Sequence, residues 1–384
     1  MNIKNRSFKS IVLSILVFIL LIVSEKLAKY VIFKYTLMLV NKGDIDAQNN
    51  LGALYEKGQG VTQSYEKAFE WFRKSAVQGH VDAQYNLGCT YHEGLGVAQS
   101  YEKAFEWFGK SAVQGNVEAQ YTLGCMYHDG LGVAQSYEKA FEWFRKSAAQ
   151  GHANAQGNLG GMYIEGLGIG QSYEKGAELY SKSAARGNAN AQHHLGRLYF
   201  LGQGVTQSYA KAFKWYSKAA AQGHMDAQSH LGCMYQNGEG IAQSYKKAFK
   251  WYSKAALQES VGAQNNLGVM YIIGQGIVQN EMKAFEWFSK AATQGLAEAQ
   301  NNLGSMYYKG LGVAQSYEKA FEWFSKAATQ EYASAQNNLG VLYQNGQGIA
   351  QSYEIAFEWF SKAVVLGDID AQNNLAEMHE KGLV

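Results

Sequence analysis

Eight tryptophans lie at positions 71, 107, 143, 215, 251, 287, 323 and 359, and every interval between them is 36 or 72 residues. A fixed period of this length marks a tandem array of one supersecondary unit, not a set of unrelated domains. The motif Ala-Gln-x-x-Leu follows the same period, at Ala47, Ala83, Ala119, Ala155, Ala191, Ala227, Ala263, Ala299, Ala335 and Ala371. Nine units of 36 residues therefore fill 47–370 without insertion or deletion, and a half-unit, 371–384, ends the chain. Upstream, Gly43 falls in step with Gly79 and Phe33 with Phe69, so 28–46 reads as a degenerate leading half-unit.

Composition narrows the class. Hydrophobic residues make up 47% of the 384 residues, enough for a sizeable core, and there is no proline. The formal charge of +2 lacks the basic excess of a general nucleic-acid binder. Three cysteines are too few for a disulfide scaffold.

Each unit carries two helical stripes. In the first unit Ala47, Leu51, Leu54 and Tyr55 share one face at 3.6-residue spacing, which predicts helix A. Gly58 and Gly60 supply a left-handed stop and a turn. Ser64 stands where an N-cap belongs, with Glu66 in the first turn of helix B. Tyr65, Phe69, Phe72 and Ala76 form the buried stripe of helix B, and Gly79 closes it. Gly52 sits in the middle of helix A, where glycine costs about 1 kcal/mol against alanine. Its recurrence in nine units predicts that a bulky helix B side chain, an aromatic, packs on bare backbone there. On the outer face of helix B, Glu70 and Lys74 stand at i, i+4, the spacing of a favourable ion pair. In the fifth and sixth units the glutamates give way, leaving Lys211, Lys214, Lys218, Lys246, Lys247, Lys250 and Lys254 on what reads as a solvated face. The architecture is all-α, a stacked α-solenoid.

The pattern A-Q-x-x-L-G-x-x-Y-x-x-G-x-G-V followed by Y-E-K-A-F-E-W-F-x-K-A-A-x-Q-G resembles the Sel-one-like repeat, a relative of the tetratricopeptide repeat, over residues 28–384. The resemblance implies a right-handed superhelix of antiparallel helix pairs, with helix A lining the concave side, and an adaptor or scaffold role in protein complexes. Two features depart from the family. Ala98-Gln99-Ser100 and its equivalents replace the Pro and Asp common in the A–B turn, which implies a less stiff turn. The cysteines are also not paired within repeats as in exported cysteine-rich members.

Before the repeats, Lys4, Arg6 and Lys9 precede an apolar run, Ile11–Val23. The run is shorter than the ~20 residues of a full span, which suits a signal peptide. A poor cleavage site makes an uncleaved anchor from about Phe8 an equal alternative. Residues 1–27 are thus a signal peptide or membrane anchor. The chain is expected to be exported, periplasmic or extracellular, or membrane-anchored with its repeats outside the cytoplasm.

No sequence motif of catalysis or nucleotide binding is present. Gly58-x-Gly60 lacks the third glycine of a dinucleotide fingerprint. Cys89-x-x-His92 and Cys125-x-x-His128 supply a tetrahedral ligand count, but helices 8–10 Å apart hold such ligands too far from one ion. No cofactor and no metal are expected. Helix B is nearly uniform across units, whereas the polar face of helix A diverges. Tyr85, Tyr121 and His193 occupy one position of that face, Arg197 the position four residues on, and His92, His128 and Phe200 a third; Asn50, Asn86, Asn158, Asn266, Asn302 and Asn338 border them. Asparagine amides suit a peptide backbone, and Tyr and Arg are frequent binding anchors. These residues are the candidate surface for a protein or peptide partner. The leading reading is a non-enzymatic scaffold. The alternatives are a hydrolase-like relative acting on cell-wall material or β-lactams, and a purely structural spacer.

Overall fold

The structure, a computed structural model, describes residues 25–383. Among them are twenty helices and no strand. The first, α1, covers 25–40 of the described chain; α2 (Ile45–Lys57) and α3 (Tyr65–Val77) are helices A and B of the first unit. The alternation continues through α20 (Ile369–Glu380). The chain divides at Arg186/Gly187 into two compact units. Within each, every helix packs on the next. The apolar segment Ile11–Val23 lies outside the described residues. Among the described residues, no helix is long and apolar enough to cross a membrane.

Local sequence sets each boundary. Gly58 caps α2 in the left-handed region at φ 62°, and Ser64 Oγ accepts from the backbone N–H of Lys67. The turn between them is clasped, not loose as the missing proline implies. Gln63 Nε2 donates to the carbonyl of Glu56 at 2.7 Å and to the hydroxyl of Tyr65 at 3.0 Å. Gln99 repeats both bonds with His92 and Tyr101. A side-chain clamp does the work of a restricted φ.

The helix A glycine behaves as its position implies. A Cβ at Gly52 would stand 2.6 Å from the Phe72 ring, and one at Gly88 2.6 Å from Phe108. Phe72 and Phe108 are each 1% exposed. Burying such a ring stabilises by about 1.5–3 kcal/mol, more than the helix propensity the glycine gives up. A buried glutamine completes the joint. Gln84 Nε2 donates to the carbonyl of Ala76 on the preceding helix B, and its Oε1 accepts from Gln114 Nε2 at the end of its own helix B. One side chain thereby ties three helices. Phe33 meets Tyr55 edge-on at 5.8 Å, as Phe69 meets Tyr91 at 5.4 Å, so α1 stands where a preceding helix B would.

The Glu70–Lys74 ion pair does not form. Lys74 lies 4.1 Å over the Trp71 ring instead, and the equivalent lysines stack on Trp107, Trp143, Trp215, Trp251, Trp287, Trp323 and Trp359. An exposed cation–π contact of about 0.5–1 kcal/mol outcompetes an exposed i, i+4 pair of about 0.3–0.5. The exception proves the competition: where Leu179 replaces tryptophan, Lys182 turns to Glu178 at 2.7 Å.

That same repeat, α8 (Ala153–Glu165) with α9 (Tyr173–Ala185), departs from its neighbours in the residues that pack it. Gly176 stands in place of alanine, and Ile164 leans into the space it leaves. Gln156 Oε1 is buried without a partner. Its partner position holds Arg186, whose guanidinium lies against Gly151 instead. Gln336 Oε1 is orphaned in the same way, and there the partner position holds Leu366.

Two outcomes follow for stability. Gly88→Ala should destabilise by about 1–3 kcal/mol through the Phe108 clash. Gly109→Ala, on the exposed side of a helix B with nothing within 4 Å, should stabilise by up to about 1 kcal/mol. Denaturant titration of both variants checks the contrast; equal effects would refute the packing account. Arg186→Gln should give Gln156 its missing donor and add about 1 kcal/mol. Hydrogen exchange should show residues 153–185 exchanging fastest among interior repeats and slowing in that variant; uniform protection would contradict it.

Candidate functional site

Helix A presents its variable positions differently in the two units of the chain. In the first, α4 (Val81–Glu93) carries Tyr85 and α6 (Val117–Asp129) carries Tyr121. Both rings are half-buried. Tyr85 lies 5.5 Å from Phe108, and Tyr121 lies 5.8 Å from Phe144 and 4.5 Å from His152. Their hydroxyls bond with Thr122 and Asn158 of the following repeats and with Cys89 and Cys125 of their own helices. Burial pushes both phenols above the usual tyrosine range. These residues therefore join neighbouring repeats as well as facing outward. His92 and His128 are also half-buried, with rings edge-on to Tyr101 and Tyr137 at 5.2 and 5.3 Å, and His128 pairs with Asp129. The Cys89, His92, Cys125 and His128 side chains do not converge on a common point. The thiols turn to tyrosine hydroxyls and the imidazoles to the A–B turn.

The asparagines form an internal ladder. Asn86 Nδ2 donates to Asn49 Oδ1 at 3.0 Å, Asn302 to Asn265 at 3.0 Å, Asn338 to Asn301 at 2.9 Å and Asn374 to Asn337 at 2.8 Å. The accepting residues Asn265, Asn301 and Asn337 are buried. Asn266 instead bonds with the hydroxyl of Tyr252. Each donating amide thus spends one N–H on the repeat before it. Asn50 and Asn158 are exposed, as is Arg197.

In the second unit, α10 (Ala189–Leu201) and α12 (Met225–Asn237) bring together a cluster the sequence reading did not anticipate. His193 is 7% exposed and stacks on His224 with centroids 4.6 Å apart and planes 24° apart. His194 and His230 each lie 5.2 Å from it, and His230 stacks on Tyr216 at 4.8 Å. Burial, with neighbouring His224, His230, His194 and Arg197, lowers the His193 pKa to about 3. Burial likewise holds His194 and His224 below the usual histidine range. Phe200 packs away from this cluster, edge-on to Tyr209 at 5.1 Å. One sequence signal was available: four of the nine histidines fall between 193 and 230.

Lysines of helix B lie over aromatic rings of both helices of their repeat. Lys211 and Lys247 lie over Tyr199 and Tyr235, as Lys218 and Lys254 lie over Trp215 and Trp251. An open depression of about 540 Å³ on this side is lined by Phe105, Lys110, Val113 and Gln114 among others.

The comparisons with known proteins agree with this architecture. The Sel1 repeat profile matches 45–80, 81–116, 117–152, 153–188, 189–224, 226–260, 261–296, 297–332, 333–368 and 369–384. A protective antigen of uropathogenic Escherichia coli strains, displaying an SLR fold, is 37% identical with a TM-score of 0.84; the match covers 91% of this chain and 75% of that one. A Sel1 repeat protein from Oxalobacter formigenes is 31% identical with a TM-score of 0.60, covering 80% and 89%. No curated protein matches in sequence. Proteins built from this repeat are generally protein-interaction scaffolds and typically not enzymes. With ten matched repeats stacked as α-helical pairs, the chain belongs to the Sel1 repeat family.

Proposed function

We propose that this chain is a non-enzymatic scaffold that binds a protein or peptide partner along the helix A face, the concave side in the family's superhelix. The observation that carries the reading is a contrast between helices. Helix B repeats one outer face, with lysines laid on tryptophans, while the helix A position that carries the exposed Arg197 changes from repeat to repeat, reading Ala53, Cys89, Gly161, Arg197, Val269 and Ser305 among others. A surface that must recognise an irregular partner needs such variation. We further propose export or membrane anchoring through Ile11–Val23; the description of the Escherichia coli relative as a protective antigen fits that placement.

The cysteines favour a binding role over thiol chemistry. Burial pushes the Cys89 thiol up to about 11, and raises Cys125 and Cys233 as well. The thiolate is the nucleophile, so these groups are inert near neutral pH. Tyr252 O–H donates to Cys233 Sγ at 3.1 Å, which holds that sulfur in the packing.

Alkylation of Cys89 by iodoacetamide at pH 8, followed by peptide mass spectrometry, should run about two orders of magnitude slower than for an exposed thiol, and denaturant should abolish the difference. Rapid labelling of the folded protein would reopen a thiol-based activity. For the partner surface, a photo-cross-linking residue placed at 50, 158 or 197 should form adducts with the partner, and one at 214 or 250 should not. With the partner identified, Arg197→Ala should weaken binding by about 1–2 kcal/mol. Lys214→Ala with Lys250→Ala should change it little at physiological salt. Adducts confined to 214 and 250 would place the partner on helix B and overturn the assignment.

A further inference from the structure

We propose that His193, His224 and Asp226 form a binding site for a borderline divalent cation of the Zn²⁺ class. The proposal is independent of the scaffold reading. Each of the three residues offers one donor atom, and the three atoms lie within 4.8 Å of one another. His193 is more than nine-tenths buried, yet its Nε2 has no hydrogen-bond partner. A buried unpaired nitrogen is rare in a folded protein and is the atom a cation would satisfy. A neutral imidazole carries a lone pair on one ring nitrogen, the donor a cation takes.

Comparison between repeats isolates what is special here. His80 and His152 occupy the same N-cap position as His224. Each accepts a backbone N–H at Nδ1, and each turns Nε2 to an acid of the preceding repeat, Asp46 at 3.1 Å and Glu118 at 3.2 Å. At the corresponding place before His224 stands Asn190, and among the described residues no ion pair forms at the His224 ring. Its nearest acid is Asp226, two residues on and exposed to solvent, which gives an ion an entry route. His230 fixes the backbone beside it: Nδ1 lies 2.7 Å from the Asp226 carbonyl and must carry the proton there.

Two imidazoles and one carboxylate match Zn²⁺, Co²⁺ or Ni²⁺ in softness and do not match Ca²⁺ or Mg²⁺, which prefer all-oxygen shells. Bonds of about 2.0–2.2 Å require the donors to draw together from their present spacing. Asp226 is exposed and able to move. Ligation through His224 Nε2, the nitrogen that its equivalents turn to an acid, leaves the Nδ1 cap bond to Ala227 in place. Arg197 opposes the cation and Asp226 offsets it. Three protein ligands leave at least one coordination position for water or for a donor from a partner.

The test uses the full chain, stripped of metal at pH 7 and titrated with ZnCl₂ by calorimetry, with Co²⁺ absorption as a spectroscopic readout. One saturable equivalent is expected, with CaCl₂ and MgCl₂ giving none. His193→Asn, His224→Asn and Asp226→Asn should each weaken Zn²⁺ binding at least tenfold and remove the Co²⁺ bands. The repeats themselves supply these replacements at Asn49, Asn116 and Asn154, so the fold tolerates them, and circular dichroism verifies it. His152→Asn, in a repeat whose histidine is paired with Glu118, should leave binding unchanged. No Zn²⁺ binding, or binding that survives all three cluster variants, would overturn the site.

Discussion

One contact sets the dimensions of the whole array: the edge of a helix B ring resting on the bare backbone of a helix A glycine. Phe72 on Gly52 brings the two axes closer than any side chain at position 52 would allow, and the same contact returns as Phe108 on Gly88 and Phe360 on Gly340. Tyrosine serves equally, at Gly196 with Tyr216 and Gly232 with Tyr252, because the contact uses the ring and not the para substituent. Close approach then makes the polar joint attainable. Gln84 bonds to both flanking B helices only because all three backbones lie within one side chain's reach. An interior amide left without these partners costs about 1–3 kcal/mol, so ring, glycine and glutamine form one cooperative device.

That dependence explains which features were legible in the sequence. Gly52, the Ser64 cap and the Gly58 stop are local, recur at a fixed period, and contradict ordinary propensity unless a neighbour explains them. The structure returns each of them as expected. The Glu70–Lys74 pair was read from spacing alone and lost to a competitor one position nearer, the face of Trp71. Candidate positions on helix A were legible as a face but not as contacts. Asn302 and Asn338 look like free amides along the chain, yet each bridges to a residue 37 positions earlier. The histidine cluster was hidden for a related reason. Its members come from two repeats, and only the stacking of α10 on the following pair brings His193 against His224.

In an array whose stability is a sum of repeat and neighbour terms, substitutions are felt where they occur. Arg186 and Leu366 show how narrow the tolerance is. Each removes one amide donor, and in each case the buried glutamine thirty residues earlier is left with an orphaned oxygen. The first of these changes coincides with Gly176, Ala177 and Leu179, so one repeat loses its tryptophan platform, part of its apolar stripe and its polar joint together. Ile164 fills some of the space left at Gly176, and the Lys182–Glu178 pair replaces the lost cation–π contact. Compensation of this kind preserves the helices while lowering the cost of opening them locally.

Variation on helix A has more than one physical source. Position 85 and its equivalents vary widely, but the side chains there are half-buried or buried and contact helix B of their own repeat or the repeat that follows. Tyr85 with Tyr121, His193, and Asn265 are therefore three solutions to one packing problem. Tyrosine reaches the next repeat with its hydroxyl, asparagine with its carbonyl oxygen, and histidine by stacking on another ring. Variation that arises only from coupling to a neighbour stays confined to such bridging positions. Arg197 stands exposed on the same face and differs from the equivalent residue of every other repeat. Diversity at that position is the part that inter-repeat packing alone does not require, and it is the part of the surface on which the proposed recognition rests.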